Sequence, residues 1–252
     1  MDKLQRTILI TGASSGIGLA ISHHLLARGH RVIGLGRRFD DTVIDDPHFR
    51  PCVVDLADLD TLTERINELI TSLPTDFVEL NGLVCCAGRG RFGSLEEFSC
   101  RQIRDLMDLN FTSHACLVRN LLPVMKKNAT GAGAGHIVFI GSEAALQGGR
   151  RGAVYSASKF ALRGFAQALR EECSRSQIGV SIINPGMVRT AFFDTLKFRP
   201  GPDDSHAILA DDVAAAVAMV LEMRPGTVID EINLSPLAKV IQFGPDSEGE
   251  QD

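Results

Sequence analysis

Short apolar runs alternate along this chain with longer segments whose apolar residues recur every three or four positions. Residues 59–70 and 213–221 are two such segments, and their spacing is typical of amphipathic helices. The apolar runs predict seven strands: Thr7–Ile10, Arg31–Leu35, Pro51–Val54, Gly82–Cys86, His136–Gly141, Ile178–Asn184 and Val228–Leu234. Continuous apolar strands alternating with helices indicate an α/β fold, with a parallel sheet covered on both faces.

Local signals mark where some of these elements begin and end. Ser99, followed three residues later by Gln102, forms the pattern of a capping box that starts a helix. Ala129–Gly135 is a Gly/Ala-rich segment and predicts a surface connection. Residues 1–240 are expected to form a single domain, and residues 241–252, acidic and without apolar side chains from Gly244 onwards, a disordered tail.

Composition limits the classes of partner. With 44% hydrophobic and 23% charged residues, the 252-residue chain is typical of a soluble globular protein. Its net charge of −5 gives no attraction to nucleic acid or to an anionic membrane, so neither partner is expected. No segment approaches the roughly 20 apolar residues that span a bilayer, and the run Thr7–Ile10 is too short for a signal peptide.

The six cysteines have no C-x-x-C spacing typical of a metal site. We expect reduced, mostly buried thiols in a cytoplasmic protein rather than a disulfide framework, and no bound metal.

A glycine-rich loop follows the first predicted strand and precedes a helix. Its residues 11–18 read T-G-x-x-x-G-x-G, a spacing that brings backbone close to a ligand at the helix N-terminus, where free N–H groups attract phosphate. A tight strand-to-helix turn is the alternative. The loop predicts nucleotide contacts from Gly12, Ser14, Ser15, Gly16, Ile17 and Gly18.

The chain contains a single tyrosine, Tyr155, and no tryptophan. Lys159 follows four residues later, so both side chains lie on one face of a helix. A phenol with an ordinary pKa near ~10 is a poor acid or base at neutral pH, and a nearby cation favours its ionised form. Alone, the pair is better explained as an ordinary surface contact on a helix, because Tyr-x-x-x-Lys is a common spacing.

From Thr7 to Leu234 the chain resembles the short-chain dehydrogenase/reductase family. The resemblance rests on five features in the family's order: the glycine loop 11–18, Asn110 at the start of 110–112, Ser142, the Tyr155/Lys159 pair, and 184–186 with Thr190. It implies a Rossmann-type doubly wound parallel sheet and hydride transfer between a nicotinamide cofactor and a carbonyl or alcohol.

The resemblance also implies a role for each catalytic residue. Tyr155 would exchange a proton with the substrate oxygen, which Ser142 would orient. Lys159 would lower the pKa of Tyr155 and hydrogen-bond the nicotinamide ribose, and Asn110 would hold a water that relays protons. Further cofactor contacts are implied at Asp55, Ala87, Gly88, Tyr155, Pro185, Gly186, Val188 and Thr190.

NADP(H) is the favoured cofactor, with NAD(H) as the alternative. NAD-selective relatives carry an acidic residue at the end of the second strand, where this chain has Gly36. Arg37 and Arg38 follow immediately, and guanidinium groups suit the 2′-phosphate of NADP in charge and geometry.

One departure from the family is Cys85-Cys86, where relatives carry two asparagines. Thiols hydrogen-bond weakly, so we expect reduced stability; a catalytic cysteine is the less favoured interpretation.

The substrate is less well specified. The segment after Gly186, rich in phenylalanine, together with Phe92 and Leu146, favours an apolar carbonyl compound, whereas nearby loop arginines (Arg89, Arg91, Arg150 and Arg151) favour an acidic one. The resemblance implies a homodimer or homotetramer formed through residues 111–127 and 153–175. The rival functions are an NAD-dependent alcohol dehydrogenase and a nucleotide-sensing regulatory protein with little catalysis.

Overall fold

A computed structural model describes residues 5–39, 44–129, 134–224 and 226–244. The strands are β1 Thr7–Thr11, β2 Arg31–Gly36, β3 Phe49–Val53, β4 Leu80–Cys85, β5 Gly135–Ile140, β6 Ile178–Pro185, β7 Phe198–Pro200, β8 Glu231–Leu234 and β9 Ile241–Phe243. The α-helices are α1 Gly16–Leu26, α2 Leu59–Thr71, α3 Cys100–Met107, α4 Ser113–Asn128, α5 Ala153–Cys173 and α6 Ala210–Leu221.

Within the described residues, seven strands form one parallel sheet in the order β3-β2-β1-β4-β5-β6-β8. This confirms the predicted doubly wound sheet, and each of the seven predicted strands overlaps one strand of it. The chain runs outward in one direction from β1 to β3 and in the other from β4 to β8. Because the order reverses between β1 and β4, the loops after these strands diverge and leave a crevice at their carboxyl ends.

Alternating residues of each central strand face opposite layers of helices. Leu9 and Phe139 face a core shared with α2, α4 and α5, whereas Ile8 and Val138 face a core shared with α1 and α6. These side chains are fully buried, and burial of each contributes about 1.5–3 kcal/mol. The sheet is therefore fixed from both sides, and the loops at its carboxyl edge are held by a rigid frame.

Helix α3 begins as its sequence predicts. The hydroxyl of Ser99 accepts a hydrogen bond from the Gln102 backbone N–H, and the Gln102 side chain accepts one from the Ser99 backbone N–H. A π-helical turn, Asp108–Thr112, joins α3 to α4. Most of the predicted connection Ala129–Gly135 (residues 130–133) lies outside the described residues.

An antiparallel pair formed by β7 and β9 lies apart from the main sheet and was not predicted. Because β9 occupies residues 241–243, the predicted tail begins too early; the backbone N–H of Gly244 still donates to the Lys197 carbonyl at 2.9 Å. Residues 245–252 of that tail lie outside the described residues.

The six cysteines are unpaired, as predicted. Their expected burial is only partly correct: Cys85 and Cys173 are buried, Cys100 is exposed, and the other three are intermediate. In the part of the chain that the structure describes, no helix has the length and apolar character needed to cross a bilayer.

Candidate active site

A cleft of about 310 Å³ lies at the carboxyl ends of β1 and β4, where the strand order reverses. Residues predicted from sequence line most of it: Gly12, Ser15, Gly16, Ile17, Gly18, Ala87, Gly88, Ser142, Tyr155, Lys159, Pro185, Gly186, Val188 and Thr190. Of the other lining residues, Arg89 was expected near the substrate rim and Cys86 was considered as a less favoured catalytic cysteine, whereas no sequence feature indicated Ile140, Gly141 and Ala191. Phe192 and Phe193, expected in the substrate wall, also line it.

The glycine loop forms the floor of one end of the cleft. Gly12 adopts φ of +70°, and a Cβ there would lie 3.1 Å from the Ala87 Cα. A Cβ on Gly18 would overlap the carbonyl oxygen of Gly12. Both positions therefore require glycine, because the loop packs directly against the start of α1 and the segment after β4.

Helix α1 presents its N-terminus to the cleft. Ser15 occupies the N-cap position without a side-chain cap, and the first turn contains no acidic residue. The backbone N–H groups of this turn and the positive end of the helix dipole suit a phosphate group. A glycine-rich cradle that ends at a helix N-terminus without a side-chain cap fits the pyrophosphate of a dinucleotide.

The remaining predicted cofactor contacts lie around this end. Arg37 and Arg38 are exposed directly after β2, and a Cβ on Gly36 would lie 2.9 Å from the Ser14 hydroxyl oxygen. Asp55 follows β3, where its carboxylate accepts a hydrogen bond from the Ala57 backbone N–H at 3.0 Å. None of the four polar residues Ser14, Arg37, Arg38 and Asp55 lines the cleft itself. Their predicted contacts with the cofactor therefore stay predictions.

Thr11 ties the segment after β4 to the glycine loop. Its Oγ1 accepts hydrogen bonds from the backbone N–H groups of Cys86 at 2.8 Å and Ala87 at 2.9 Å. Burial raises the pKa of Cys86 to about 12, and burial also raises that of Cys85. Both thiols are protonated at neutral pH, which argues against a catalytic cysteine.

Tyr155 and Ser142 face the cleft together. Ser142 follows β5 and caps a short 3₁₀ turn, its Oγ accepting the Ala144 N–H at 3.2 Å. Tyr155 lies in the first turn of α5 and is 8% exposed. Burial raises the pKa of Tyr155 to about 12, a hydrogen bond with Ser142 lowers it, and the charge of Glu143 raises it.

Lys159 lies one turn after Tyr155 and is buried below the cleft. Its Nζ donates to the carbonyl of Ile140 at 3.0 Å and lies 6.0 Å from the centre of the Tyr155 ring. Burial lowers the pKa of Lys159 to about 8, and Cys86 partly offsets this.

The pKa of Tyr155 is raised rather than lowered, because burial outweighs the hydrogen bond with Ser142, and the contribution expected from Lys159 stays a prediction. The effects on the phenol come from burial, Ser142 and Glu143, and their sum raises its pKa. Helical spacing places the two groups on the same face, but it gives neither the dielectric environment of the phenol nor the distance between the reacting atoms.

Asn110 lies behind the cleft, fully buried within the π-helical turn. Its Oδ1 accepts the Arg89 N–H at 3.0 Å, while its Nδ2 donates to the Arg89 carbonyl at 3.0 Å and to Ser158 Oγ at 3.1 Å. The amide thus holds the backbone after Gly88 against α5. The implied relay water stays a prediction.

The substrate side of the cleft is aromatic. Phe92 and Phe192 pack against Tyr155, with ring centres 5.0 Å and 6.2 Å from its own. Phe193 contacts Phe192 at 5.2 Å, and Phe198 of β7 contacts Phe92 at 5.0 Å. These four phenylalanines, which we call the phenylalanine wall, exclude water from one side of the phenol.

The four loop arginines do not converge on the substrate side. Arg89 lines the cleft, whereas the Arg91 guanidinium lies 5.7 Å from the Phe98 ring centre. Arg150 and Arg151 are exposed. Across the described ranges, the structure contains no group of three or more metal-ligating side chains.

Residues 6–199 match the family model described as short chain dehydrogenase. The chain is 31% identical to an uncharacterized oxidoreductase, YbbO, of Escherichia coli over 260 residues, covering 91% of this chain and 94% of the relative. It is 30% identical to sepiapterin reductase of Chlorobaculum tepidum, covering 95% and 99%. A solved metagenomic short-chain oxidoreductase in complex with NADP shares 27% identity, with a TM-score of 0.76 and coverage of 93% and 99%.

Proposed function

We propose that this chain, which belongs to the short-chain dehydrogenase family, is an NADP(H)-dependent reductase of apolar carbonyl compounds. Members of the family are oxidoreductases that act on CH–OH or C=O groups with a nicotinamide cofactor. The observation that carries this proposal is the protonated phenol of Tyr155, which faces the cleft beside Ser142 and against an aromatic wall.

Tyr155 serves as the general acid. Bound NADPH would supply hydride to the carbonyl carbon, while Ser142 donates a hydrogen bond to the carbonyl oxygen as negative charge develops there. A phenol with a pKa of about 12 keeps its proton at neutral pH and transfers it to the more basic alkoxide. The protonated phenol is the form that carbonyl reduction requires, whereas alcohol oxidation requires the phenolate.

Lys159 positions the cofactor and provides a buried positive charge. One N–H of its ammonium is used by the Ile140 carbonyl, which leaves two donors for the nicotinamide ribose. With a pKa of about 8, Lys159 is mostly charged at neutral pH. The cation also favours the phenolate that remains after Tyr155 has given up its proton.

NADP(H) is preferred over NAD(H) because the end of β2 carries Gly36, Arg37 and Arg38 rather than a carboxylate. Both guanidinium groups are exposed directly after β2, and they suit a phosphate dianion.

An apolar substrate is favoured by the phenylalanine wall, which offers apolar surface and no charge next to the phenol. Arg89 supports an acidic substrate less well, because its backbone is held by Asn110 and its exposed side chain stays solvated.

We also propose a cytoplasmic homodimer or homotetramer that uses residues 111–127 and 153–175. Support comes from Phe160, which is 43% exposed on the outside of α5.

The test is a panel of aromatic and aliphatic ketones and aldehydes, assayed by oxidation of NADPH and, in parallel, of NADH. We expect turnover with NADPH, highest for aromatic carbonyls, and weaker binding of NADH in a fluorescence titration. Binding of NADPH without turnover of any carbonyl would support a regulatory protein instead. Equal or tighter binding of NADH would refute the role given to Arg37 and Arg38.

A further inference from the structure

His114 is a buried histidine next to the cleft whose role no motif indicates. It lies in the first turn of α4, is fully buried, and does not line the cleft. Its Nε2 faces the Oγ1 of Thr11 at 3.5 Å. Thr11 is the residue whose hydroxyl holds the backbone of Cys86 and Ala87 at the cleft wall.

The hydrogen bonds of Thr11 fix the direction of its hydroxyl proton. Both lone pairs of Oγ1 are used, because they accept the N–H groups of Cys86 and Ala87. The O–H must therefore point elsewhere, and His114 Nε2 is the acceptor that faces it. This requires an unprotonated Nε2, so the proton of the neutral ring resides on Nδ1.

The surroundings of His114 keep the ring in that form. Burial lowers its pKa to about 3 and the charge of Lys159 lowers it further, while the backbone of Asn110 raises it. Nδ1 makes no hydrogen bond of good geometry within the described residues. At any working pH the ring can accept from Thr11, and it could not do so as an imidazolium.

We propose that His114 is a positioning residue for the cofactor: by accepting from the Thr11 hydroxyl, it fixes the Cys86–Ala87 backbone at the dinucleotide cleft. This inference rests on the proposed function, since it takes a nicotinamide dinucleotide as the occupant of the cleft. It also accounts for how the segment after β4 is held although Cys85 and Cys86 offer only thiols.

A matched control is available in the main sheet. His136 of β5 is also buried and neutral, with Nε2 2.8 Å from Ser181 Oγ. It lies near the amino end of β5, and therefore at the opposite edge of the sheet from the cleft. Loss of either imidazole removes a buried hydrogen-bonding group, but only His114 is connected to the cofactor site.

The experiment measures the NADPH dissociation constant by nucleotide fluorescence, and the melting temperature, for His114→Ala, His114→Gln, Thr11→Val, the double variant His114→Ala/Thr11→Val, and His136→Ala. We expect His114→Ala to weaken NADPH binding about five- to tenfold, as loss of one positioning hydrogen bond would, and Thr11→Val, which removes the two accepted hydrogen bonds as well, to weaken it at least as much. The double variant should bind no more weakly than Thr11→Val alone, because His114 acts only through Thr11. Gln, which retains an acceptor, should restore most of the affinity.

His136→Ala should lower the melting temperature and leave NADPH affinity unchanged. The inference is overturned if His114→Ala binds NADPH like wild type, or if its effect multiplies with that of Thr11→Val. If the His114→Ala variant does not fold, the inference is overturned when the Thr11→Val variant binds NADPH with wild-type affinity. Failure of wild-type protein to bind NADPH or NADH would instead refute the proposed function, and this inference with it.

Discussion

At the scale of single residues, burial shifts the pKa values of Tyr155 and Lys159, the proposed catalytic pair, in opposite directions. It removes solvent from both, so it favours the neutral phenol of Tyr155 and the neutral amine of Lys159. Tyr155 becomes a weaker acid that keeps its proton until an alkoxide forms beside it. The ammonium group of Lys159 loses its proton more easily, already in mild alkali.

The shift of Lys159 predicts an alkaline limit to activity. Above a pH of about 8 the ammonium loses its proton, so its interaction with the nicotinamide ribose weakens. We expect kcat/KM for NADPH, which reports the cofactor-free enzyme, to decrease as pH rises through about 8. Initial rates across this range, with protein stability checked at each pH, measure the effect. A profile that stays flat well above that pH would contradict the assignment.

The membership of the candidate site was predictable from sequence where spacing carries the information. Tyr155, Lys159 and Ser142 line one cleft, and their order and separation along the chain had indicated them. The pKa of Tyr155 was not predictable from sequence, because it depends on burial by side chains such as Phe92. This residue lies 63 positions away along the chain. His114 gave no signal, since a single histidine in a helical pattern does not reveal that Thr11 faces it.

At the scale of elements, the β7–β9 pair supports the phenylalanine wall. Phe198 of β7 packs edge-on against Phe92 and Phe193, while the backbone of β7 pairs with β9. Lys239, which precedes β9, forms an ion pair of 2.8 Å with Glu143, the neighbour of Ser142. The C-terminal segment thus connects the phenylalanine wall to the residue next to Ser142. Sequence did not predict these strands, because three-residue elements have too short a pattern and pair across about 40 residues.

Phe198→Ala tests the role of this pair. Loss of the ring removes its edge contact with Phe92 and loosens the wall beside Tyr155. We expect KM for an aromatic carbonyl to rise about tenfold, while NADPH affinity stays unchanged. Phe243→Ala is the control, because Phe243 is the β9 residue in register with Phe198 but is 64% exposed. Equal KM values for wild type and Phe198→Ala would show that the wall does not contact substrate.

At the scale of the whole molecule, the reversal of strand order determines where chemistry can occur. Alternating apolar runs predicted the parallel sheet, because each strand must be buried on both faces. They did not give the position of the reversal between β1 and β4, which depends on strand pairing across the chain. Packing on both faces also buries His114 and His136, which remain neutral in the folded protein.

Because of these two buried histidines, we expect the free energy of unfolding to decrease in acid. Their folded-state pKa values of about 3 and about 4 lie below the ordinary value of 6.5, so the unfolded chain binds protons first. Their contribution is fully present above pH 6.5 and decreases as pH falls towards these lower values, by about 1.4 kcal/mol per pH unit for each histidine. Urea unfolding across this range measures the slope.

The variant His136→Gln should show a smaller change of the unfolding free energy with pH, because it lacks the contribution of one histidine. An unchanged slope in this variant would show that His136 is not neutral in the folded state.

The most direct test of the account is a comparison of wild type with Tyr155→Phe, using the best carbonyl substrate found with NADPH. The substitution removes only the phenolic oxygen and leaves the ring packed against Phe92 and Phe192. If Tyr155 is the general acid, NADPH should bind with wild-type affinity while kcat falls by about 10²–10⁴-fold. Normal NADPH binding together with undiminished turnover would contradict the mechanism.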